Sequence, residues 1–193
     1  MQNKQNTQSI QNSEKRCYIF PHFMLSNIAK GIQSSHAIVN MFNKYVPHRG
    51  NNYKVSSKDD IEKDPFEMLF DWSFNYKTEI MLNPGVSGDL EELLFLLQDE
   101  ENFYPWAEFY EDEYSLKGIM TAISIVIPEK IYNTASYIRT KNFVFDIDNF
   151  GLVKCLDTSK TDIETLQLIE SYGRFNNFEM ELVKRLSYYR LAQ

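Results

Sequence analysis

Ile119-Met120-Thr121-Ala122-Ile123-Ser124-Ile125-Val126-Ile127 is the stretch on which the fold turns. Its two alternating sets, Ile119/Thr121/Ile123/Ile125/Ile127 and Met120/Ala122/Ser124/Val126, are both small or apolar. A strand that is apolar on both faces is covered on both faces, so it lies centrally in a sheet with helices on each side. Pro128 suits the first position of a helix, and the pattern predicts one over 129–137.

Working upstream, 106–111 reads as a strand. Before it, a helix opens at Ser87 or Gly88, with Leu90, Leu93, Leu94 and Leu97 at i, i+3, i+4 and i+7. Asp89, Glu91 and Glu92 fall in its first turn, where acids favour the helix N-terminus. A strand over 78–82 ends at Asn-Pro-Gly, and a helical piece over 65–72 carries Phe66, Leu69, Phe70 and Trp72. A long polar connection, including His48-Arg49-Gly50-Asn51-Asn52, links this piece to a helix over 31–44 and a first strand over 18–24. Alternating strands and helices predict an α/β three-layer sandwich, with an about four-stranded mixed sheet and helices on both faces.

Downstream the character changes. Residues 143–156 look extended, and Thr161-Asp162-Ile163-Glu164 is a capping box. Gly173 stops that helix, and Asn176-Asn177-Phe178-Glu179 starts another with Phe178, Leu182, Leu186 and Tyr189 in register. This C-terminal helical hairpin is suited to covering a sheet edge or forming a homodimer contact. The expected organisation is a flexible tail over 1–16, an α/β domain over 17–142 and an extension with the hairpin over 143–193. The tail is rich in Gln, Asn and Ser and too polar to order itself.

The chain has 193 residues with a formal charge of −7, and the charge is unevenly spread. Between Thr78 and Leu116 stand eleven acids and no Lys or Arg, so the remainder holds 16 acids against 20 bases. Nucleic acid would have to be met by that remainder, because phosphate affinity rests on Lys and Arg. A solvated helix face with loops is the plain account of the acid run. No apolar run approaches the roughly 20 residues of a membrane span. Cys17 and Cys155 are far apart and lack metal-ligand spacing, which suits buried thiols in a reducing, cytoplasmic compartment. With three histidines and no paired ligand spacing, a structural metal is not expected.

The chemistry-bearing stretch is 17–42, a short apolar run, a loop and a helix. Gln33, His36 and Asn40 at i, i+3 and i+7 share one helix face. The plain reading of His36 is a satisfied helix histidine. His48 and Arg49 are candidate phosphate contacts, with ordinary loop residues as the alternative.

The order of strand, loop, Ala-Lys-Gly-Ile-Gln-Ser-Ser-His-Ala, Trp, second strand, acid-rich helix, Phe-Tyr-Glu-Asp and Met-Thr-Ala-Ile-Ser-Ile resembles the type II peptidyl-tRNA hydrolases and their divergent phage and bacterial relatives. The resemblance covers roughly 17–140 and implies hydrolysis, without metal or cofactor, of the ester joining a peptide to tRNA. It assigns the family histidine to His36, the glutamine to Gln33, the acidic position to Asp112 beside Glu111, and the threonine to Thr121. The family lysine lies four residues before the glutamine, where this chain has Ala29. Lys30 stands one residue on and is expected to reach the site if the helix begins at Gly31, leaving it in the loop. In the active reading His36 orients or activates water and Asp112 sets its hydrogen bonds. Lys30 and Thr121 then stabilise charge or hold the terminal adenosine, while Gln33, Asn40, His48 and Arg49 help to hold tRNA. The alternative is a member without the chemistry that binds a basic protein partner through its acidic face or hairpin.

Overall fold

The computed structural model describes residues 13–46, 64–85, 87–141, 145–147, 153–155, 167 and 169–192. A five-stranded mixed sheet runs in the order β3-β4-β1-β2-β7. Its strands are β1 (Lys15–Pro21), β2 (Thr78–Asn83), β3 (Trp106–Tyr110), β4 (Met120–Pro128) and β7 (Arg190–Leu191). The helices are α1 (Asn27–Tyr45), α2 (Pro65–Asp71), α3 (Ser87–Leu97), α4 (Glu113–Leu116), α5 (Glu129–Lys141) and α6 (Asn177–Tyr188). A separate ribbon pairs β5 (Phe145–Ile147) with β6 (Val153–Cys155) in antiparallel fashion, within the stretch expected to be extended.

β1 and β4 form the middle of the sheet, and every residue of β4 from Met120 to Ile127 is buried, as its two apolar faces require. β1 runs antiparallel to β4 and parallel to β2, with Tyr18 opposite both Ile125 and Ile80. Alternation along β1 separates two layers. Arg16 lies over the Tyr132 ring, Tyr18 stacks near Tyr132 and Phe20 meets Tyr189, so this set faces α5 and the C-terminal segment. Lys15, on the opposite set, bonds Asp71 at the end of α2. α1 and α2 cover that side, while α3, α5 and α6 cover the other. The three-layer architecture follows.

The edges of the elements differ from the sequence expectation for local reasons. β1 begins at Lys15, ahead of the expected start, because Lys15 is buried against Asp71 and the Tyr76 ring. Lys15 and Arg16 therefore belong to the sheet and not to the tail. Beyond α2 the chain continues as one π-helical turn over Trp72–Tyr76, closed by Lys77 in the left-handed region at φ 56°. The Trp72 indole N–H donates to Thr78 O at 3.0 Å and fixes the turn to the start of β2. The sheet has five strands and not four, since a two-residue segment after α6 pairs with Leu82 and Asn83.

α6 starts as its sequence predicts. Asn176 and Glu179 form a reciprocal capping box, and Gly173 with φ +75° breaks the preceding helical residues. Phe178, Met180, Leu182, Val183 and Leu186 are buried in the one core that also contains β1 and β4. The C-terminal helix is thus part of the domain's core, and its apolar face is used within the chain. The Thr161–Glu164 capping box lies outside the described residues. Among the described residues no helix is long and apolar enough to cross a membrane.

Candidate functional site

α1 is a capped, 19-residue helix whose first turn contains Lys30. The Ser26 hydroxyl accepts from Ala29 N at 3.2 Å, and Lys30 N donates to Ser26 O at 2.8 Å. The helix therefore begins at Asn27, not Gly31, and Lys30 is not a loop residue. Lys30, Gln33, Ser34, Ala37 and Met41 form the buried face of α1. Lys30 lies three residues before Gln33 and four before Ser34, on the side laid against the sheet.

The shared face of Gln33, His36 and Asn40 exists, and it meets β3. The Gln33 amide donates to the Glu111 carboxylate just beyond the strand. The His36 ring stacks on Phe109 with centroids 4.6 Å apart and 19° between planes. The Asn40 amide donates to Glu108 O at 2.9 Å. β3 is the outermost strand on its side of the sheet, so part of its backbone has no ladder partner. The two hydrogen bonds and the ring stack dock the helix along that edge, and Asn40 satisfies one edge carbonyl. Lys44 extends the seam, its ammonium 3.2 Å from the centroid of the Trp106 ring. Burial there holds the Lys44 amine below its usual range, opposed by the Glu108 charge.

The remaining expected site residues do not join this face. Asp112 is exposed and caps α4, accepting from Ser115 N at 2.7 Å and from the Ser115 hydroxyl at 3.1 Å. Those bonds hold its carboxyl below the usual range. His36 is exposed, and its ring contact is with Phe109. Among the described residues no hydrogen bond joins His36, Asp112 and Thr121. Thr121 is 1% exposed and sits at a shift in the β3–β4 register, where Phe109 pairs with Ala122 and Tyr110 with Met120. Its backbone oxygen accepts from His22 N at 2.8 Å, while its hydroxyl is buried without a partner. Gln33 likewise has a buried amide oxygen without a partner. His48 and Arg49 lie outside the described residues.

His22 is the residue that the sequence reading passed over. It directly follows β1, is buried, and its Nδ1 accepts from Met24 N at 3.3 Å. Accepting through Nδ1 requires that nitrogen to be unprotonated. Burial also pushes the imidazole below its ordinary pKa of 6.5. Only its position in an apolar run ending Phe-Pro-His hinted at burial, and that signal is weak.

Among the described residues no group of three or more His, Cys, Asp or Glu is arranged to hold a metal ion. Cys17 is a free, fully buried thiol, which burial pushes well above its ordinary range. Comparison with protein-family models and with curated proteins finds no match to this chain.

Proposed function

We propose that this chain is a cytosolic binding protein that takes a basic, amphipathic protein segment on the outer face of α1 and the acidic end of β3. The observation that carries this reading is how the signature side chains are engaged. Gln33, His36 and Asn40 are used to dock α1 on β3, and Asp112 is used to cap α4. A general base needs an orienting partner and a reacting proton within hydrogen-bond reach. His36 has a phenyl ring instead.

The outer face of α1 carries what a partner would need. Ile28, Ile32 and Val39, at i, i+4 and i+11, are 79%, 51% and 54% exposed, and Met24 just before the helix is open as well. The Gln33–Glu111 contact brings the end of β3 beside the first half of α1, and Asp112, Glu113 and the fully exposed Tyr114 follow it. An apolar stripe bordered by acids complements a segment with apolar anchors and Lys or Arg flanks.

The probe is a synthetic helical Leu/Lys peptide titrated into the full chain, beside a Leu/Glu counterpart. The proposal expects salt-sensitive binding of the basic peptide alone, weakened at least tenfold by Ile32→Asp. Equal binding of both peptides, or binding indifferent to Ile32→Asp, would overturn it.

Hydrolysis of peptidyl-tRNA is the second reading. It draws support from five buried polar residues toward one end of the sheet and α1, namely His22, Lys30, Gln33, Ser34 and Thr121, two of them with unpartnered oxygens. Such groups cost free energy unless a ligand or water satisfies them.

A further inference from the structure

A cavity of about 460 Å³ opens on the other face of the sheet, under α5 and beside β7. Its construction is regular. Arg16 and Tyr18 are two apart on β1, Ile80 and Leu82 are two apart on β2, and Tyr132, Ser136 and Arg139 fall at i, i+4 and i+7 on α5. Arg190 closes the rim from β7. Three arginines thus line one concavity in a chain whose formal charge is −7.

The three arginines differ in what already holds them. Arg16 bonds Glu14 through Nε at 3.0 Å and lies 4.0 Å from the Tyr132 ring centroid. Arg139 donates Nη1 to Tyr189 O at 3.1 Å and pairs with no carboxylate among the described residues. Arg190 has no side-chain partner among the described residues. The Arg16 and Arg139 charges both act on the Tyr18 hydroxyl and oppose the upward pull of its burial. Charge from two sides therefore converges on the polar tip of an aromatic wall. The floor beneath, Ile80 and Leu82, is aliphatic.

A guanidinium presents a planar fork of donors matched to phosphate, and an apolar or aromatic wall takes a flat ring. The volume falls in the ordinary range for a small-molecule site. We infer that this cavity binds a nucleoside monophosphate or diphosphate, its phosphate on Arg139 and Arg190 and its base against the Tyr18 and Leu82 side. The inference does not depend on the α1 face, from which it is separated by the sheet.

The test is calorimetric titration of the full chain with AMP, UMP, ADP, adenosine and inorganic phosphate, repeated with Arg139→Gln/Arg190→Gln. Both arginines are exposed, and a melting curve checks that the double variant is folded. A nucleotide should bind at least tenfold more tightly than adenosine or inorganic phosphate, weaken as salt rises, and lose at least tenfold in the folded double variant. No nucleotide binding at millimolar concentration would overturn the inference. So would binding unchanged in the double variant, or inorganic phosphate binding as well as any nucleotide. If the double variant fails to fold, Ser136→Phe, which fills the cavity from α5, must abolish nucleotide binding; retained binding overturns the proposal.

Discussion

The two faces of the sheet use polar side chains in opposite ways. On the α1 face, Gln33, His36 and Asn40 each meet a counterpart on or beside β3, and the helix is held there by them. On the α5 face, Arg139 and Arg190 line a cavity and find no carboxylate among the described residues. Polar groups at helical spacing signal that something must be met, but not whether the counterpart is inside the chain or outside it. Here the motif side chains meet counterparts inside the chain, leaving the Gln33 amide oxygen unpartnered, and the face without a motif is open.

The comparison is tested most heavily where the C-terminal helix supports the cavity side. Phe178 is 1% exposed and sits in the common core. Phe178→Ala is expected to cost about 3–5 kcal/mol, read by denaturant unfolding. A loss below about 1 kcal/mol would make α6 an appendage and detach the cavity rim from the core.

A smaller effect probes the seam itself. Removing Gln33 leaves the Glu111 carboxylate without its amide donor, and Gln33→Ala is expected to cost about 1.5–3 kcal/mol, since one partner is charged. Paired with Glu111→Ala in a double-mutant cycle, the coupling should be clearly non-zero. Additive losses would show that the helix is held by apolar packing alone and that its polar face is free for other work.

The smallest effect lies in pH. The folded pKa of His22 is depressed below 6.5, so the unfolded chain binds more protons between the two values. This contribution is fully present above about pH 6.5, where the imidazole is neutral in both states. It declines as pH falls below that value and levels off below the folded pKa. The slope of stability between pH 5 and 7 should therefore flatten in His22→Gln. An unchanged slope would place the responsible proton elsewhere.

Much of this fold was legible because its signals are periodic and local. The doubly apolar β4, the leucine spacing of α3 and the Asn176 box each specify an element from neighbouring residues alone. The start of α1 was not legible, because Ser26 at its N-cap resembles an ordinary loop serine beside Asn27. The π-helical turn after Asp71 and the two-residue β7 carry no period at all; tertiary contacts define them. At the site, spacing correctly grouped Gln33, His36 and Asn40. It could not reveal that Phe109 and Glu108 would receive them, or that Asp112 would turn to Ser115. The cavity was invisible for the same reason, since its arginines come from β1, α5 and β7, each unremarkable alone.

In the proposed reading, the α1 polar face serves to dock a strand and is not an ester-hydrolysis site. Turnover of an N-blocked aminoacyl-tRNA by the pure, folded chain tests it most directly. The account predicts release of the amino acid at the uncatalysed rate, identical for the native chain and His36→Ala. Release well above that rate, falling by orders of magnitude in a folded His36→Ala variant, would contradict it.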